Sequence, residues 1–226
     1  PLFLTLWGIA AWSLRRFEKK SLGESTTQRI PALLRWMLIG GWLALAMNNF
    51  HTLPAEMGYD FAGHRAYIEY LLQKGKLPLA SDGPQMFQSP LYYVLSAGLF
   101  RLLRLFVSDT TAWLGLRWIP LLCWLAQIEI IYRLGKLTFP QRPELQSCML
   151  LFGGLLPMGI SMSQVVGNEP LCAVLTSLVL LMCCRGLIDE TYLRLSRRHW
   201  WLGVWLGLAL LTKVSTLLLI PLVGGV

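Results

Sequence analysis

Residues 170–184 read PLCAVLTSLVLLMCC, an uncharged and almost wholly apolar run. Crossing about 30 Å of hydrocarbon takes roughly 20 such residues in a helix, and this run comes close to that length. Similar runs cover about 31–49, 91–107, 111–132, 145–163 and 200–222, and residues 1–14 read as the end of another span. The 226 residues are 55% hydrophobic and 14% charged, whereas soluble domains carry about 25% charged residues. Ten tryptophans suit the headgroup boundary that indole prefers. The predicted fold class is therefore all-α, a polytopic transmembrane helix bundle forming a single membrane domain over 1–226. The chain opens on Pro1 and stops at PLVGGV just after an apolar run, so it is expected to be a piece of a longer protein.

The net charge of +8 does not indicate a nucleic-acid partner, because the basic residues gather in short loops between apolar runs. Segments 15–35, 133–144 and 185–199 together hold thirteen Lys and Arg, against five between 48 and 110 and none in SMSQVVGNE at 161–169. By the positive-inside rule the dense loops are cytoplasmic and the other two are outside. That orientation survives only if 91–107, which carries Arg101 and Arg104, lies at the interface or re-enters rather than crossing. The five cysteines lie in or at the ends of apolar runs without metal-ligand spacing, which fits buried small hydrophobes.

The outer stretch 50–110 carries GYDFAGHRAY at 58–67. Residues 61–74 predict an amphipathic interfacial helix, with Phe61, Ile68, Leu71 and Leu72 on one side and Gly75 and Pro78 closing it. Asp60 stands where an N-cap would be, so its carboxylate has two readings: a cap for first-turn amides, or a reactive group at the water boundary. His64, one helical turn on, can share its face; it is either an interfacial histidine or part of a site. Asn168 and Glu169 head a later span on the same outer side. Lys213 falls inside the run 200–222, where an ionisable residue either snorkels or faces a polar cavity. Arg117, early in its run, either joins that cavity or lies at the headgroups. Glu129 is read as the i,i+4 partner of Arg133.

Four motifs in this order are GYDFAGHRAYIEYLLQKGKLP, FQSPLYYVLSAGLFRLL, VVGNEPLCAVLTSL and LGLALLTKVSTLLLIP. Together they resemble the polytopic C-type glycosyltransferases, among them the protein mannosyltransferases and the lipid A aminoarabinose transferases. The likeness covers most of 45–222, roughly the N-terminal half of such an enzyme. It implies an enzyme of the bacterial cytoplasmic (inner) membrane with its site on the outer side. Its donor would be a polyprenyl-phosphate sugar and its acceptor a hydroxyl of a lipid, glycan or protein. Asp60 occupies the place of the family's catalytic base, although Tyr59-Asp60 stands where an acidic pair is common. Either Asn168 or Glu169 matches the second outer carboxylate, and Lys213 matches a lysine ending a GLA-x-LTK stretch. Ser89-Pro90 replaces the usual Pro-Pro before the aromatic pair, whose Tyr92 is placed with the substrate-binding residues. A general base for the acceptor hydroxyl and a cation for the departing phosphate account for Asp60 and Lys213. His64 and Glu169 would orient sugar or acceptor, or help bind a divalent metal ion. A polytopic transporter with Lys213, Arg117 and Glu169 along its substrate path is the alternative, and broken helices with an inverted repeat would be its marks.

Overall fold

The computed structural model describes residues 26–54, 56–189, 192 and 196–225. The span end expected at 1–14 and the first part of the basic loop after it lie outside the described residues. Every regular element among the described residues is helical, so the predicted class holds. Three stretches are long and apolar enough to cross a membrane. The first, Gln28–Phe50, belongs to α1 (Thr26–Thr52). The second, Asp109–Thr138, comprises α4 (Asp109–Gly115) and α5 (Trp118–Thr138). The third, Glu169–Ile188, is α8.

Helices α1 and α5 pack with α6 (Pro143–Gly154) around Leu38, Trp42, Ile128 and Leu150. Trp42 stacks on Trp124 at 5.9 Å and donates its indole N–H to the Gly154 carbonyl at 2.9 Å. A Cβ at Gly153 would lie 2.5 Å from Ile131 Cδ1, the movable tip of a side chain of α5. Helix α5 is tied to α8 by Gln127 Nε2 donating to Ser177 Oγ at 2.7 Å. At the basic end, Glu129 accepts from Arg133 at 2.7 Å, the predicted i,i+4 pair, and also from Arg35 at 2.8 Å.

The 50–110 stretch forms its own small core. Helix α2 (Phe61–Lys74) buries Phe61, His64, Tyr67, Ile68 and Leu71. Against it lies α3 (Leu91–Leu103), which contributes Tyr92, Tyr93, Ala97 and Phe100. Gly75 closes α2 in the left-handed region (φ 65) and returns its N–H to Leu71. With 13 residues, α3 is about 20 Å long, short of the hydrocarbon core.

Besides the run shared by α4 and α5, two expected spans are not single helices. The run 145–163 divides into α6 and α7 (Pro157–Met162), because Pro157 lacks an amide donor and turns Leu156 away from helical geometry. The run 200–222 stops being α-helical at the end of α9 (Ser196–Leu210) and continues as a 3₁₀ turn over Val214–Leu218 and α10 (Leu219–Gly224). Leu219 and Val223 pack with Val179, Met182, Cys183, Leu202 and Leu206. The segment beyond Lys213 therefore folds back along α8 and α9. Lys213 stands at the turn of a hairpin, extended at φ −157, ψ 129, and not in the middle of a crossing helix. The physical reason is competition for carbonyls: Leu211 O accepts from Leu91 N at 2.8 Å and Thr212 O from Asn168 Nδ2 at 3.3 Å.

Ser108, at the start of α4, accepts from the Thr111 amide and lies in the stretch assigned to the outside. In a cysteine-free background Ser108→Cys is expected to react with an impermeant maleimide added outside intact cells. Labelling only after lysis would reverse the assigned orientation.

Candidate functional site

The loop before α2, the head of α8 and the α9–α10 turn meet at one end of the bundle. Gly58 has φ 126, and a Cβ there would lie 2.4 Å from Val165 Cγ1, so only glycine lets the loop before α2 press against the loop before α8. Two residues on, Asp60 precedes α2. Its side chain makes no capping hydrogen bond and is exposed, which removes the cap reading. A carboxylate without amide donors remains available to other partners.

His64 is buried, 3% exposed, and its Nδ1 lies 2.8 Å from the Tyr93 hydroxyl. A Cβ at Gly167 would lie 3.5 Å from His64 Nε2 and 2.8 Å from Glu169 Oε2, so the imidazole and the carboxylate flank the same backbone point. Burial raises the Tyr93 hydroxyl pKa, which keeps that hydroxyl a donor. With Glu169 on the Nε2 side, the favoured tautomer carries its proton on Nε2 and accepts from Tyr93 at Nδ1. Tyr67 stacks on Tyr93 at 3.8 Å, and Tyr92 meets His64 edge-on at 6.3 Å.

Glu169 accepts from Lys213 Nζ at 3.1 Å, with side-chain exposures of 40% and 31%. Asn168 beside it is fully buried. Its Nδ2 donates to both Gln88 Oε1 and Thr212 O at 3.3 Å, while its Oδ1 has no hydrogen-bond partner among the described residues. Of Asn168 and Glu169, Glu169 is therefore the one a ligand can reach. Asn168 joins three segments behind it. Gln88 in turn donates to Gln85 Oε1 at 3.0 Å. Gln85 holds a left-handed φ of 63, a conformation uncommon for residues other than glycine.

His64, Glu169 and Lys213 are thus brought together, with Tyr92 and Asn168 buried behind them, while Asp60 stands exposed one helical turn before His64. Arg117 belongs elsewhere. It is buried and donates to the carbonyls of Phe50, Leu53 and Pro54, so it ties the end of α1 to the α4–α5 junction. Arg117→Ala is expected to cost about 1–3 kcal/mol by stranding those acceptors. Thermal unfolding in detergent, with Arg117→Lys recovering part of the loss, checks this.

The sequence reading did not single out Tyr93, Gln88 or Thr212. Tyr93 stood in the quoted aromatic pair, but a glutamine and a threonine at helix ends leave no periodic trace. A groove of about 440 Å³ alongside α2 is lined by Glu56, Phe61, Arg65, Glu69, Phe100 and Trp113 among others, and Asp60, His64, Glu169 and Lys213 do not line it. No three of His, Cys, Asp and Glu among the described residues are placed to hold a metal ion, and Glu169 is engaged by Lys213. Among the described residues, no set fits a protein-held divalent ion. No family model, curated protein or solved structure matches the chain.

Burial holds the His64 pKa below its ordinary value, opposed by the charges of Glu169 and Asp60 and reinforced by Lys213. The unfolded chain then takes up a proton near pH 6.5 that the folded chain refuses. Stability is expected to fall as the pH drops from about 6.5 toward the folded value, and to level off below it. His64→Asn removes this proton uptake. Unfolding midpoints of both proteins across that range check it; parallel pH profiles would remove His64 from the acid response.

Proposed function

We propose that this chain is part of a membrane glycosyltransferase of the C type. In this reading it transfers a sugar from a polyprenyl-phosphate donor to an acceptor hydroxyl on the non-cytoplasmic side. The observation that carries the reading is the meeting of His64, Glu169 and Lys213, drawn from three distant segments, at one end of an apolar bundle, with an uncapped, exposed Asp60 one turn before His64.

Asp60 accepts the proton of the acceptor hydroxyl as its oxygen bonds to the sugar's anomeric carbon. The bond from that carbon to the phosphate oxygen breaks, and the electron pair leaves with the lipid phosphate. Lys213 stabilises the charge that develops there, in a setting where solvent screens it less than in bulk water. Glu169 holds the ammonium in place before the phosphate arrives. His64, fixed by Tyr93, offers Nε2–H toward sugar or acceptor. A membrane-embedded lipid donor agrees with a site at the ends of helices long enough to span.

Membranes carrying the protein, incubated with a panel of labelled polyprenyl-phosphate sugars, are expected to transfer label from one donor class to a lipid, glycan or protein acceptor. Absence of transfer from every donor would reject the reading. The transporter alternative gains one observation, since two apolar runs break, at 155–156 and at 211–213, as helices lining transporter sites do. Purified protein in micelles separates the two: an enzyme turns over without compartments, and a transporter shows only binding.

A further inference from the structure

Helix α3 buries Tyr92, Tyr93, Ser96, Ala97 and Phe100 on one side. Its opposite side exposes Val94, Leu95, Gly98, Arg101 and Leu102, and the chain beyond it exposes Leu105 and Phe106. An apolar face turned outward on a short helix of a membrane protein suits acyl chains. Where this face meets the end of α2, a groove of about 420 Å³ opens over Leu71, Leu77, Val94 and Ala97, with Lys76 and Arg101 at its rim. No carboxylate lines it. Lys76 has no ion-pair partner among the described residues, and Arg101 donates at 3.2 Å to Leu72 O, which steadies its guanidinium beside the groove. Lys74, two residues before Lys76, is a third exposed cation. A Cβ on Gly75 or Gly98 would meet nothing within 4 Å, so the groove is open above both.

We propose that this groove binds an acidic phospholipid of the surrounding leaflet. Its acyl chains lie over Leu77, Val94 and Ala97, and its phosphate rests between Lys76 and Arg101. Charge complementarity selects the occupant: an apolar floor edged only by cations favours an anionic amphiphile over a zwitterionic one. Bound there, the lipid anchors the α2–α3 hairpin to the membrane. The site is separate from the His64–Glu169–Lys213 cluster.

The test measures binding of fluorescent short-chain phosphatidylglycerol and phosphatidylcholine to the protein in uncharged detergent. At about fivefold per cation, phosphatidylglycerol is expected to bind roughly 30-fold more tightly. Lys76→Gln with Arg101→Gln is expected to abolish that preference, and Gly98→Phe to block both lipids by filling open space without disturbing the core. Equal binding of the two lipids, or a preference surviving these substitutions, would overturn the proposal. So would displacement by inorganic phosphate alone, which would mark a simple anion site. Displacement by polyprenyl phosphate at lower concentration than by unlabelled phosphatidylglycerol would assign the groove to the donor lipid and equally overturn it.

Discussion

Asp60→Asn is expected to lower sugar transfer by roughly 10²–10⁴-fold, the range over which a positioned general base contributes. Expression and unfolding temperature should stay near wild type. The geometry separates the two effects. A capping aspartate replaced by a residue that cannot cap costs about 1 kcal/mol, but Asp60 caps nothing: its side chain accepts no amide from the first turn of α2. Asparagine keeps the size and loses only the basicity. Asp60→Glu, which keeps the charge but moves it, should fall between the two. Transfer at the wild-type rate by Asp60→Asn would take the residue out of the chemistry. A matching loss of fold stability would return it to a structural role.

Lys213→Met is expected to reduce transfer by about 10²–10³-fold, comparable to losing one preorganised donor to a developing anion. Its stability should change by less than about 1 kcal/mol, because the partners of the Lys213–Glu169 pair are 31% and 40% exposed and solvent screens their attraction. Glu169→Gln releases the ammonium from its 3.1 Å partner. If Glu169 works by positioning Lys213, then adding Glu169→Gln to Lys213→Met produces little further loss. Independent, multiplying losses would instead mean that Glu169 touches sugar or acceptor itself. Full activity in Lys213→Met would contradict the phosphate-stabilising role.

The site was only partly legible beforehand. The carboxylate at 60, the histidine a turn later, the Asn168-Glu169 pair and the lysine at 213 all stood out as polar residues against an apolar background, and all four places gather at one end of the bundle. What could not be read was their division of labour. Asn168 and Glu169 are neighbours in the chain, yet one is wholly enclosed and the other partly open, because α8 begins between them. Arg117 stood open between the cavity and the headgroups, with no motif to decide it. The three carbonyls that claim it come from residues more than sixty positions away, and no local pattern announces such a partner.

Hydropathy by itself determined the solvent and the class: uncharged runs of this length fold as helices because hydrocarbon offers no partners to a bare backbone. Tertiary structure decided where the apolar runs end as helices. Leu211 and Thr212 lose their helical role because Leu91 and Asn168 take their carbonyls. A run that hydropathy alone reads as one crossing thereby becomes a hairpin that carries Lys213 to Glu169.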